Sequence, residues 1–147
     1  MNTIRVTKEF NFEMAHALHN YDGLCKNIHG HSYKLFVCLK GIPKDDVSHP
    51  KNGMLLDFKD LKKMVNELII TPFDHALILN SEDKLATLNL HNNTKSILFD
   101  FQPTCENICI HFAEILTTVF DENIKLVYLK LYETESSFTE WFASDQI

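Results

Sequence analysis

From Ile4 to Met14 the chain alternates: Ile4, Val6, Phe10, Phe12 and Met14 share one parity, broken only at Lys8, and Thr3, Arg5, Thr7, Glu9, Asn11 and Glu13 hold the other. Period-two alternation predicts a half-buried β-strand, and one further step on the apolar parity lands on His16. A second stretch repeats the pattern. Tyr33, Leu35, Val37 and Leu39 share a parity with His29 and His31, and Gly41-Ile42-Pro43 stops it. Side chains two apart in a strand point to one face, roughly 7 Å from one another, so two predicted strands each carry histidine at one end of their core-facing side.

The period then changes. In "DFKDLKKMVNELI", Leu61, Met64, Val65, Leu68 and Ile69 recur at helical spacing behind a predicted Asp57 N-cap, and Pro72 is expected to end the helix. From Asn80 to Pro103, with "HNNTKS" at its centre, the chain reads as polar and irregular. That is long for a loop in a compact domain, so it is either a surface excursion or part of a site. A second helix is predicted at "PTCEN", capped by Thr104, with Ile108, Phe112, Ile115, Leu116 and Val119 as its buried stripe. "IKLVYLKLYE" and "SFTEWFA" read as two closing strands joined by the tight "TES" after Glu133. The order ββααββ predicts one α+β domain over residues 1–147, an antiparallel four-stranded sheet with two helices on one face. Such a sheet has two open edges, which association with other subunits would cover.

Composition narrows the function classes. A chain of 147 residues at 45% hydrophobic content fits one globular domain. A net charge of −6 with no Lys/Arg cluster argues against a general nucleic-acid binder, though not against a small anionic substrate held by a few local cations. Apolar runs such as "ELII" and "ALIL" are far too short to cross a bilayer, and "MNTIRVTKEF" has no apolar core of a signal peptide. Cys25, Cys38, Cys105 and Cys109 then read as reduced thiols in a cytoplasmic protein.

The histidines carry the chemistry. Catalytic zinc commonly takes three protein ligands and keeps a fourth position open, and His16, His29 and His31 meet that count on neighbouring strands. Any one of them alone is more readily a hydrogen-bonded packing residue; the convergence of three is what points to metal. Gly30 is expected to let backbone approach the ion. His19, His49 and His91 fall in predicted loops, and His111 lies off the stripe of the second helix. Cys25, ahead of His29 in "LCKNIHGH", has two readings that spacing does not separate. It is either a fourth ligand closing a structural site, or a free thiol acting as a base beside the cation and Lys26. Cys38, on the opposite strand face, and Cys105 and Cys109, a helical turn apart, read as inert buried thiols.

"F-x-F-x-M-A-H", "C-x-x-x-H-G-H", "G-M-x-x-D-F", "F-D-H-A", "P-T-x-E-N" and "Y-E-T" occur in this order from Phe10 to Thr134. The series resembles the 6-pyruvoyl-tetrahydropterin synthase / 6-carboxytetrahydropterin synthase family. The resemblance implies the tunnelling fold, with subunits closing barrels as trimers, trimers stacking into hexamers, and active sites lying between subunits. It implies that His16, His29 and His31 hold zinc, and that Cys25 is a catalytic base and not a ligand. Asp74 and His75 match the family's proton-relay pair; a carboxylate on an imidazole fixes its tautomer and suits it to general acid work. Glu133 matches the pterin anchor, since the ring's amino-pyrimidinone edge presents two parallel N–H donors that a carboxylate accepts together. Glu106 matches a second acid of the pterin pocket, although at a helix start it equally serves the dipole.

The C-x-x-x-H-G-H interval resembles that of the queuosine (7-deazaguanine) branch. It implies a zinc-dependent lyase that converts 7,8-dihydroneopterin triphosphate to 6-carboxy-5,6,7,8-tetrahydropterin, acetaldehyde and triphosphate. The alternatives are a 6-pyruvoyl-tetrahydropterin synthase of the biopterin pathway, which cleaves no carbon–carbon bond, and a non-catalytic zinc or pterin-binding module, for which Cys25, Asp74 and His75 together would be superfluous. A zinc-free pterin aldolase would have no use for three convergent histidines. Many relatives carry a basic residue after "AH" where this chain has Ala17, which leaves His19 and Lys26 as candidate cations for the triphosphate. The "FDHALILN" run and the long Asn80–Pro103 segment also depart from shorter relatives.

Overall fold

The computed structural model describes residues 1–88 and 94–147. Strand β1 (Ile4–His16) pairs antiparallel with β2 (His29–Gly41) along its whole length, Ile4 opposite Gly41 and His16 opposite His29. Alternation is realised as predicted: Phe10, Phe12, Met14 and His16 are buried while Asn11 and Glu13 face out. Helix α1 begins at Phe58, where Asp57 accepts the Lys59 N–H at 2.8 Å, and is α-helical to Val65. Strand β3 covers Ala76–Asn80 and β4 Ser96–Phe99. Helix α2 (Cys105–Thr117) opens at Thr104, whose hydroxyl accepts the Asn107 N–H at 3.2 Å. Strands β5 (Ile124–Tyr132) and β6 (Phe138–Phe142) close the fold.

The sheet has six strands in the order β4-β3-β1-β2-β5-β6, not four, and it is mixed. β2, β5 and β6 follow one another antiparallel, whereas β3 runs parallel to β1 and β4 parallel to β3. Neither added strand alternates in sequence. Every residue of β3 is buried, Ala76 and Ile78 in the main core and Leu77 and Leu79 against Ala17 on the other face. A strand covered on both sides reads as a plain apolar run, without the period that reveals a half-buried one. β4, four residues long, lies inside the segment expected to be irregular. Residues 89–93, which include His91 and the first half of the expected loop centre, lie outside the described residues.

Pro72 does not end the first helix. The chain continues through a π-helical segment, Asn66–Ile70, and a last turn, Thr71–Phe73. Thr71 N–H reaches back five residues to Asn66 O, and Pro72 then stands at the start of a new turn, where its missing N–H costs nothing. Both helices pack on one face, as expected. Leu61, Val65 and Ile69 of α1 and Ile108, Phe112 and Leu116 of α2 share one core with Phe12, Tyr33, Leu35 and Val37. Each fully buried large side chain there contributes on the order of 1.5–3 kcal/mol. His111 is drawn partly inward, its ring 4.9 Å from Phe99 and 6.0 Å from Phe73.

Candidate metal centre and the cavities beside it

The pairing of β1 with β2 places His16 directly across from His29 and Met14 across from His31. Three imidazoles therefore converge at one end of the sheet, with ring centroids 4.6–5.2 Å apart. Their ligand nitrogens all lie within 4.8 Å of one another. Beneath them Tyr33 stands edge-on to His16 and His31 and stacks on Phe12 at 5.2 Å. Burial pushes the Tyr33 phenol far above its usual range, so it remains a neutral floor. Sequence reasoning assigned it only to the core; nothing in an alternating strand marks which apolar residue underlies a site.

Tautomers decide what the cluster can do. His16 Nδ1 lies 2.7 Å from the Pro103 carbonyl oxygen and His29 Nδ1 2.7 Å from that of Asn27, so each donates its Nδ1–H to backbone. Each Nε2 is then a lone pair, and the two face each other at 3.0 Å. His31 Nε2 is buried without a hydrogen-bond partner. Protonation is no remedy, because desolvation holds His16 and His31 below the ordinary imidazole range. Inward-facing nitrogens, on two rings whose other nitrogens bond to backbone carbonyls, are the arrangement that a nitrogen-liking divalent cation satisfies. The residues fit a metal ion.

Gly30 has no part in this. It lies on the opposite face from the two histidines that flank it, and an added Cβ there would make only ordinary contacts, 3.6 Å to Met14 O. Its expected role in metal approach is not realised, because alternation turns it away.

Cavities lie on both sides of the cluster. One, of about 340 Å³, is lined by His16, Cys25, Thr104, Glu106 and Glu133 among others. Cys25 sits on a short 3₁₀ turn, Leu24–Lys26, anchored by Leu18 N–H donating to its carbonyl at 2.9 Å. Among the described residues, the Cys25 sulfur is outside the group of mutually close ligand atoms, which leaves the closed four-ligand alternative without geometric support. Glu106 and Glu133 both line this cavity. Glu133 also comes within 4.0 Å of His16 Nε2 and 3.9 Å of His31 Nε2, a proximity that spacing did not foretell. Cys105 and Cys109 are buried, and desolvation raises their thiols to about 12 and about 11, which keeps them protonated and inert as expected.

Asp74 and His75 are not in that cavity. His75 lines a second one, of about 540 Å³, with Glu13, His31 and Ser32. Asp74 Oδ1 accepts the Glu13 N–H at 2.8 Å and lies 3.1 Å from His75 Nδ1. The Glu13 amide, ahead of the His75 contact, depresses the Asp74 carboxyl below its ordinary range. His75 N–H donates to Glu13 O at 2.6 Å, and His75 holds a left-handed φ of 62°. Glu13 thus pins the pair by its backbone, a role invisible in sequence because it uses no side chain. His19 and Lys26 line a third cavity together with Lys84 and Asp83.

A six-stranded sheet in an α+β fold brings three imidazoles, a thiol and two carboxylates to one end, which makes that end a candidate metal site. The family match is direct: the chain belongs to the 6-pyruvoyl tetrahydropterin synthase family, whose model matches residues 5–143. It is 38% identical over 143 residues to the 6-carboxy-5,6,7,8-tetrahydropterin synthase of Haemophilus influenzae, covering 93% of this chain and 97% of that one. It is 34% identical to the Rickettsia typhi protein of the same name, over 93% and 99% of the two chains. Among solved structures, an uncharacterized protein from Wolinella succinogenes superposes with a TM-score of 0.76 at 19% identity, covering 97% and 99% of the chains. The Caenorhabditis elegans 6-pyruvoyl tetrahydropterin synthase does so at 0.70 and 24% identity, with 97% of each covered. At those identities the two structures speak for the fold. Among the described residues no helix is long and apolar enough to cross a membrane.

Proposed function

We propose that this chain is a zinc-dependent lyase that converts 7,8-dihydroneopterin triphosphate and one water to 6-carboxy-5,6,7,8-tetrahydropterin, acetaldehyde and triphosphate, serving queuosine biosynthesis in the cytoplasm. The observation that carries the reading is the convergence of the His16, His29 and His31 nitrogens in a chain aligned almost end to end with relatives of that name. Held by those three residues, zinc would act as a Lewis acid on the oxygens of the substrate side chain.

The remaining work falls to the chain's own groups. Cys25, in the cavity beside His16, takes a proton from the side-chain carbon next to the developing carbonyl. Glu133, with Glu106, accepts the paired N–H groups of the pterin edge and fixes the ring against that thiol. His75 returns a proton, its imidazole oriented by Asp74. Because Cys25 and His75 line different cavities, one on each side of the histidines, a complete site draws the thiol from one subunit and the relay pair from a neighbour. This calls for a homo-oligomer, trimer-based and hexameric, whose contacts cover the β4 and β6 edges.

The deciding experiment incubates metal-loaded protein with dihydroneopterin triphosphate and identifies the products by mass. Acetaldehyde with 6-carboxytetrahydropterin is expected. Release of triphosphate with a 6-pyruvoyl product and no acetaldehyde would move the chain to the other branch of its family, and an untouched substrate would leave it a binding module.

A further inference from the structure

At the end of the sheet remote from the histidines, roughly 35 Å along β1 from His16 at ~3.3 Å per residue, three cations form a row. Arg5 of β1 pairs with Lys40 of β2, and Lys40 pairs with Lys125 of β5. Residues paired across strands project to one side, and here it is the side away from the core, since the adjoining Val6, Leu39 and Leu126 pack into it. Like charges set directly opposite one another destabilise a sheet. Among the described residues none of the three has a carboxylate partner, whereas Lys34, Lys51 and Lys130 each have at least one. A chain of net charge −6 has acids enough to neutralise such a row and does not do so.

The row lines a cavity of about 650 Å³ together with Tyr128, Phe142 and Ser144. That volume is in the range of small-molecule sites. Its shape comes from a bulge: Leu39 pairs with Leu126 but Cys38 with Tyr128, so Val127 is left without a partner and the sheet bends. Tyr128 faces Phe142 across β5 and β6, ring centroids 5.5 Å apart, and gives the cavity an aromatic wall next to the cations. Gly41 holds the arrangement tight, because a Cβ there would strike Asn123 O and Leu55. An adjoining cavity of about 520 Å³ shares Lys40 and Lys125 and adds Lys44, with Asp121 and Glu122 as its acids. Neither acid forms an ion pair among the described residues.

We infer that the Arg5–Lys40–Lys125 row is a binding site for a polyphosphate anion, either inorganic or carried by a nucleotide whose base rests on Tyr128 and Phe142. Phosphate oxygens would turn the cross-strand repulsion into attraction, the Arg5 fork engaging two of them and the lysines acting as point charges. The site shares no residue with the histidine cluster or its cavities, so it stands independently of the proposed activity.

Calorimetric titration of the full-length, metal-loaded protein with inorganic tripolyphosphate, and separately with ATP, tests the inference. Saturable binding is expected, falling as salt rises and weakened by about tenfold or more in Lys40→Gln/Lys125→Gln. That variant replaces both charges with neutral polar groups and, with repulsion relieved, melts no lower than the parent when no ligand is present. Phosphate held at the histidine end would instead be lost in His31→Ala and kept in the lysine variant, which overturns the inference. So does the absence of saturable binding by either anion. Tighter binding of ATP, reduced in Phe142→Ala, assigns the site to nucleotides, and equal affinities assign it to inorganic polyphosphate.

Discussion

The Nε2 atoms of His16 and His29 face each other at 3.0 Å, and the backbone has already claimed the Nδ1–H of each ring. Two acceptors at that separation repel, so the folded chain without an ion is strained at this point. Metal should therefore contribute to stability by mass action, about 4 kcal/mol when free ion exceeds the dissociation constant a thousandfold. Chelation is expected to lower the melting temperature reversibly, and His16→Ala to abolish that metal-dependent part. A melting temperature indifferent to chelator and zinc alike would remove the metal from the account.

Cys25 stands in the cavity with His16 but outside the cluster of ligand atoms. Cys25→Ala should hold zinc at near-stoichiometric level and keep its fold while turnover falls by about 10²–10⁴. Loss of zinc from that variant would make the sulfur a ligand after all. Since His75 lines the other cavity, inactive Cys25→Ala and His75→Ala proteins unfolded and refolded together should recover activity in about a quarter of the sites if each site spans two subunits. No recovery on mixing would place both groups within one subunit's site.

Glu133 poses a different question, being near enough to His16 and His31 to serve the ion and well placed in the cavity to serve the pterin. Glu133→Gln is expected to weaken pterin binding by about 10–100-fold, the loss of charge-assisted hydrogen bonds, with zinc affinity little changed. Calorimetry with a pterin and competition with a zinc chelator read the two separately. If pterin affinity holds and zinc affinity drops, the carboxylate belongs to the metal.

What the sequence made legible follows from which residues face water. β1 and β2 are half-buried, so alternation marked them and carried His16, His29 and His31 onto one face. The caps Asp57 and Thr104 were readable because a side chain does the capping. β3 was not readable, being buried on both sides, and the π-helical segment before Pro72 depends on a backbone bond that no residue type signals. The Asp74–His75 pair gained meaning only from the family motif, and its anchoring by the Glu13 backbone only from the fold. That Cys25 and His75 line separate cavities had no sequence signal at all.

His75 carries a φ of 62°, a left-handed conformation that a side chain with Cβ resists by about 1–2 kcal/mol. Its N–H to Glu13 O and its contact with Asp74 hold it there. His75→Gly should raise the unfolding midpoint by relieving the strain while turnover is lost; His75→Ala should lose turnover without that gain. Equal stability in the two variants would show that the backbone is relaxed at this residue.

His111 supplies a pH dependence whose sign can be worked out. Its ring packs against Phe73, Phe99 and Phe101, and desolvation lowers its pKa from 6.5, with Glu114 opposing more weakly. Above 6.5 the folded and unfolded chains are both neutral at this residue and stability is unaffected. As pH falls below 6.5 the unfolded chain takes up a proton that the folded one refuses, so stability declines and levels off only below the folded-state pKa. His16 and His31 act in the same direction, so the measurement is a difference. His111→Phe keeps an aromatic ring in place and cannot titrate. Urea midpoints of parent and variant, taken in steps from about pH 7.5 to about pH 5, should diverge below 6.5, with the variant declining less steeply. Parallel curves through that range would mean the ring meets solvent freely enough to be protonated in the fold.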